Sequence, residues 1–147
     1  MNTTLSTLLQ SKGSALHTVP SSLTVSDAVK EMNRHKIGSV LVMNGEKLAG
    51  IFTERDVLTR VVAENLDPRT TPITKVMSGS VLTVGPEMTV QQAMDIFTEK
   101  RCRHLPVIQG GRLLGLISIG DVSRWVANAH RAEAESLRQY ISGDLST

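Results

Sequence analysis

The sequence predicts an α/β fold of the α+β type. Two β-α-β-β-α repeats pack as a pseudo-twofold pair, and a C-terminal helix follows them. Three observations lead there. The first is self-similarity at a constant offset of 65 residues, with no gap needed. It pairs Thr18–Val19 with Thr83–Val84, Thr24–Val25 with Thr89–Val90, Gly50 with Gly115, and Asp56–Val57 with Asp121–Val122. The same offset links Ala28 to Ala93, Val42 to Val107, Gly45 to Gly110 and Leu48 to Leu113. The second is a change of apolar period inside each copy, from helical to strand-like. The third is an amphipathic tail longer than the repeat requires.

Each copy opens on a short extended piece, Leu16–Val19 or Val81–Val84. Thr24 and Thr89 then stand as helix N-caps, since a threonine hydroxyl accepts a hydrogen bond from a free amide of the first turn. The first helix, Val25–His35, carries Val25, Ala28, Val29 and Met32 on one face; its counterpart carries Val90, Ala93, Met94 and Phe97. Strands Ser39–Met43 and Lys47–Phe52 follow, joined at Asn44-Gly45, and in the second copy His104–Ile108 and Arg112–Ile117, joined at Gly110-Gly111. Helices beginning at Thr53 and Ser118 close the repeats. A single unit is too small to bury its core well, so two related units are expected to share one.

The domain boundaries follow from this pattern. Residues 1–66 form the first repeat with its lead-in, 67–72 a linker, 73–128 the second repeat, and 129–147 the C-terminal helix and tail. Pro68 and Pro72 stop the preceding helix. Ile73–Met77 reads as a helical turn entering the second copy, and Thr4–Gln10 as its counterpart entering the first. In the tail, Val122, Val126, Ala129, Leu137 and Ile141 share a helical face interrupted by Glu133. Arg124, Arg131, Glu135 and Arg138 lie opposite, and Gly143 is a natural stop. That apolar face serves either to dock on the helix's own domain or to contact another chain.

Composition narrows the function. Of 147 residues, 40% are apolar and 20% charged, which is the balance of a globular chain, with net charge +2. There is no long basic stripe, and aromatics make up only 3%, so neither bulk nucleic-acid binding nor a base-stacking platform is expected. No apolar run approaches a membrane span, and the N-terminus does not read as an export signal. The lone Cys102 cannot form an internal disulfide and fits a reducing compartment, so the expected location is cytoplasmic. His17, His35 and His130 lack zinc-site spacing.

The chemistry is concentrated in Gly-φ-φ-[Thr/Ser]-x-x-Asp, where φ is apolar. It occurs as Gly50-Ile51-Phe52-Thr53-Glu54-Arg55-Asp56 and again as Gly115-Leu116-Ile117-Ser118-Ile119-Gly120-Asp121. Each instance has the form of a helix cap, in which the hydroxyl and the acid satisfy the first turn. The same features suit a nucleotide. Free amides and a hydroxyl favour phosphate, and an aspartate one turn in is a two-oxygen acceptor for a ribose diol.

These paired motifs, with Arg103-His104-Leu105-Pro106-Val107-Ile108 and Lys75-Val76-Met77-Ser78, resemble tandem cystathionine β-synthase (CBS) domains. The resemblance spans about residues 4–128 and is to the short stand-alone CBS pairs of bacteria and plant organelles. It implies two clefts suited to an adenosine nucleotide. Asp121 and Asp56 would hold ribose, and Ser118 and Thr53 phosphate or ribose oxygens. Arg103 and His104 would face phosphate. Ile37, Val40 and Pro106 would sandwich the base, with Thr18 and Thr83 contacting it from the first strands. Arg55 would add a phosphate contact or pair on the surface. The fronts of the two hairpins differ: Lys36-Ile37-Gly38-Ser39 against Arg101-Cys102-Arg103-His104. The cleft of the second copy is therefore expected to bind the phosphate-bearing ligand more tightly.

No P-loop, dinucleotide fingerprint, nucleophile elbow or zinc-protease motif is present, so the chain is read as a sensor and not an enzyme. No cofactor is required. The expected ligand is AMP or another adenine nucleotide, with NAD next, and the expected assembly is a homodimer of CBS pairs acting on an effector protein. The alternative is a ligand-independent interaction scaffold.

Overall fold

The computed structural model describes residues 3–13 and 16–146, and over 142–146 it describes the backbone alone. Met1, Asn2, Ser14, Ala15 and Thr147, which the boundaries above include, lie outside the described residues. The elements run α1 (Leu5–Lys12), β1 (Thr18–Pro20), α2 (Val25–His35), β2 (Ser39–Asn44), β3 (Lys47–Thr53) and α3 (Glu54–Asp56). A π-helical segment, Val57–Val62, continues α3. Then come α4 (Ile73–Val76), α5 (Val90–Lys100), β4 (His104–Gln109), β5 (Arg112–Ser118) and α6 (Ile119–Ser146).

The repeated helices begin where their caps require. Thr24 accepts from the Asp27 amide, and Thr89 forms a capping box with Gln92. Both end on a basic residue in the left-handed region, Lys36 at φ 54° and Arg101 at φ 52°, which turns the chain toward the following strand. The hairpins are antiparallel and share a bulge. Val42 pairs with Gly50 and Met43 with Leu48, and in the second copy Val107 pairs with Gly115 and Ile108 with Leu113. The first turn sits at Gly45-Glu46, because Asn44 pairs with Lys47.

The copies differ in their first strand. In the first, β1 runs parallel to β2, and the Leu41 amide donates to the His17 carbonyl at 3.2 Å. In the second, the extended piece is reduced to a single bridge between Val84 and Val107. Pro106 occupies the place of Leu41 and has no amide to donate, so the corresponding rung cannot form. The sheets are accordingly three-stranded (β1-β2-β3) and two-stranded (β4-β5).

The lead-in segments cross over, against the expectation that each enters its own copy. Leu5 and Leu8 of α1 are buried in the core of the second repeat with Val90, Ala93, Leu105 and Ile117. The Leu5 amide donates to the Met88 carbonyl and the Val90 amide to that of Thr3. In mirror fashion, Ile73 and Val76 of α4 enter the core of the first repeat with Val25, Ala28, Val42 and Phe52. The Ile73 amide donates to Leu23, and Ile51 and Ser78 exchange two backbone bonds of 3.0 Å. Each core is thus completed by the other repeat's approach segment, which ties the pair together.

The second-repeat helix and the tail form one helix of 28 residues that runs through Gly143 to Ser146, so Gly143 is not a stop. Trp125 and Val126 pack on the second core, whereas Leu137, Tyr140 and Ile141 are exposed. From His130 to Ile141 every side chain of the helix is exposed.

Candidate functional site

Both Gly-φ-φ-[Thr/Ser]-x-x-Asp motifs fold as a strand turning into a helix. In the first copy, Thr53 Oγ1 accepts from the Asp56 amide at 3.2 Å, and Asp56 Oδ2 accepts from the Thr53 amide at 2.9 Å. In the second, Ser118 Oγ accepts from the Asp121 amide at 3.1 Å, and Asp121 Oδ2 from the Ser118 amide at 2.9 Å. The capping reading is therefore realised twice. Strand register sets Ser39 opposite Thr53 and His104 opposite Ser118. A further shared bond runs from the Glu54 amide to Gly38 and from the Ile119 amide to Arg103. Gly38 and Arg103 thus hold the hairpin front against the helix start.

The two turns differ sharply in charge. Among the described residues, the one ion pair of Asp56 is with Arg60, at 3.6 Å. Asp121 meets Lys12 Nζ at 2.7 Å on Oδ2 and an Arg124 guanidinium nitrogen at 2.6 Å on Oδ1, and its side chain is 5% exposed. Lys12 also donates to the Leu116 carbonyl at 2.8 Å. It arrives on α1, the crossed-over segment. Burial pushes the Asp121 carboxyl up, but the Lys12 ammonium and the Ser118 amide outweigh it and hold it below the ordinary carboxylate value. His104 is shifted down, first by burial and then by the neighbouring Lys12 and Arg103 charges, against the opposing pull of Asp121. Lys12, Arg103, His104, Ser118, Asp121 and Arg124 thus form one cluster of five basic or polar groups around a buried carboxylate.

The remaining candidates are dispersed. Thr18 lines an 800 Å³ hollow between the tips of the two hairpins. Ile37 and Arg55 line a 460 Å³ groove between α2 and the α3 turn. Val40 packs in the first core, so it is turned away from any cleft, whereas Leu41 lies on the opposite face of β2. Pro106 is buried and Thr83 is exposed. Lys12 and Arg124 were absent from the sequence-derived set. Arg124 was legible, three residues after Asp121 on one helix. Lys12 carried no signal, because only the crossover brings it there. Cys102 is half-buried, and burial pushes its thiol up.

The cluster gives stability a two-stage pH dependence. The folded His104 pKa lies below the ordinary 6.5, so between the two values the unfolded chain binds the extra proton and stability falls as pH drops through 6.5. The folded Asp121 pKa lies below 3.8, so its ion pairs contribute fully above that value and are lost as pH falls through the folded one. Thermal melts from pH 7.5 to 3 should show both stages. His104→Gln should flatten the first and leave the second; an unchanged first stage would remove His104 as its source.

The fold and this geometry can be set beside known proteins. The CBS domain profile matches residues 14–63 and 73–128. The chain belongs to the CBS domain family. CBSX3, a mitochondrial CBS domain-containing protein of Arabidopsis thaliana, is 38% identical over 151 residues, spanning 97% of this chain and 73% of the relative. A structure of a CBS-domain protein from Burkholderia ambifaria MC40-6, assigned to signal transduction, superposes with a TM-score of 0.79 at 39% identity, covering 84% of this chain and 93% of that one. The CBS domain protein PAE2072 of Pyrobaculum aerophilum, solved in complex with AMP, superposes with a TM-score of 0.71 at 25% identity over 80% of this chain and 88% of that one. CBS pairs are regulatory and signal-transduction modules. Among the described residues, no helix is long and apolar enough to cross a membrane, and no group of His, Cys, Asp and Glu is placed to hold a metal ion.

Proposed function

We propose that this CBS pair is a ligand-sensing regulatory module that binds an adenosine nucleotide, AMP first among them, chiefly in the cleft of the second repeat. Asp121 would hold the ribose. Ser118, His104 and Arg103 would meet phosphate, with Pro106 and Thr83 toward the base. The first repeat would offer a weaker site from Asp56, Thr53, Arg55, Ile37, Gly38 and Thr18. The observation that carries this reading is the cationic cluster around one buried carboxylate at a strand-to-helix turn, on a fold whose Pyrobaculum relative holds AMP. Ligand would act by favouring one arrangement of the two repeats, and the output would pass to a separate effector protein.

A homodimer fits the same reading. Exposed Leu58 in the first repeat, and Met94 and Ile119 in the second, line grooves between the helices of each copy. The scaffold reading is favoured by one specific fact: both aspartates already serve their own helix caps.

Thermal unfolding with AMP, ADP, ATP, NAD, NADH and S-adenosylmethionine separates the two. A ligand at about 100 times its Kd adds about 2.7 kcal/mol. That is a shift of about 5–10 °C for a chain of this size. The shift should vanish in Asp121→Ala and survive in Asp56→Ala. No shift with any ligand at millimolar concentration would leave the scaffold.

A further inference from the structure

Lys12 occupies the acceptor that a ribose would need. Asp121 has two oxygens with about four acceptor positions between them. Oδ2 already accepts from the Ser118 amide at 2.9 Å and from Lys12 Nζ at 2.7 Å, so both of its positions are filled. Oδ1 accepts from Arg124 and has one position left. A diol that spans both oxygens must therefore displace one donor from Oδ2. The Ser118 amide is fixed in the backbone, and Lys12 is the donor that can leave.

Lys12 has somewhere to go. It lines the 290 Å³ hollow that holds Asp121 and Arg124, and also the adjoining 520 Å³ cleft formed with Leu9, Gly13, Leu16 and Leu116. Its side chain is one-third exposed and sits in the last turn of α1, so it can swing between them by rotation alone. An ammonium drawn off its carboxylate is unfavourable unless an anion replaces Asp121, the more so in a cluster to which Arg103 and Arg124 already bring positive charge. A phosphate on the same ligand supplies that anion, whereas a neutral nucleoside does not.

We propose that Lys12 is the selectivity residue of the second cleft: it closes Asp121 in the empty site and transfers to the phosphate of a phosphorylated nucleoside, so that unphosphorylated nucleosides are rejected. This rests on the nucleotide-sensor reading above and adds to it a residue from outside the repeated motif.

Calorimetric titration of the full-length protein with AMP and with adenosine tests it. Wild type should bind AMP at least about 10-fold more tightly than adenosine, the range of one charge-assisted hydrogen bond. Lys12→Met should strengthen adenosine and weaken AMP, narrowing the ratio to within about threefold. Lys12→Arg, which keeps the charge, should retain most of the ratio, and circular dichroism should show both variants folded. An AMP-to-adenosine ratio unchanged in Lys12→Met overturns the assignment while leaving the nucleotide sensor standing. Binding of neither ligand by wild type removes the sensor reading and this assignment together.

Discussion

Gly50→Ala should destabilise the protein by about 3–4 kcal/mol, whereas Gly115→Ala should cost under about 1 kcal/mol. The two glycines hold the same place in the repeated motif, and the sequence offers no ground for treating them differently. Their neighbours decide. A Cβ on Gly50 would lie 2.6 Å from the Ser78 carbonyl oxygen and 2.8 Å from Met77 Sδ. That carbonyl belongs to the two-bond bridge between Ser78 and Ile51 which docks the α4 lead-in on β3. The methyl group must push backbone away, and both bonds with it. A Cβ on Gly115 would lie 2.5 Å from Leu9 Cδ2, the far end of a flexible side chain beside an open cleft. Leu9 can rotate aside. Chemical denaturation of the two variants checks the ranking; equal losses would mean that the α4 contact yields as easily as a leucine rotamer.

That pair of glycines shows what the sequence could and could not convey. Local structure was legible because it depends on neighbours in the chain. The capping threonines bound α2 at Val25–His35 as read, and the constant offset located both hairpins within a residue or so. One break in the internal symmetry, the missing second-copy strand, is also written locally, in Pro106. What the chain could not convey was which repeat each lead-in segment covers. Leu5 and Leu8 would fill the first core as readily as Ile73 and Val76 would fill the second, since an amphipathic turn does not name its partner. The π-helical segment after Asp56 likewise gave no signal in the residue pattern.

The same limit governs the candidate site. The sequence already places Asp121, Ser118 and His104 together, because they belong to one turn and the strand that pairs with it. Lys12 was missed because it lies 109 positions from Asp121 and arrives through the crossover. Val40 packs in the first core, since adjacent residues on a strand face opposite sides.

The crossover makes a second strong prediction. Leu8→Ala should cost about 2–5 kcal/mol, as should Ile73→Ala, because each removes an almost wholly buried aliphatic side chain from a close-packed core. The location of the damage should be exchanged relative to sequence order. Leu8 lies in the first repeat's sequence but packs on Val90, Phe97 and Leu105 of the second, so Leu8→Ala should speed amide exchange in α5, β4 and β5 before α2 and β2. Ile73 heads the second repeat's sequence but packs on Val25, Val40 and Phe52, so Ile73→Ala should loosen α2, β2 and β3 first. Hydrogen exchange read by mass spectrometry on the intact chain distinguishes the cases, and protection lost first in the same-sequence repeat would refute the crossover. The outcome also bears on the cleft. Leu8 lies one helical turn before Lys12 on α1, so a loosened α1 withdraws the cation that covers Asp121. Leu8→Ala should therefore weaken the acid-range contribution of Asp121 along with the fold of the second repeat, whereas Ile73→Ala should leave it in place.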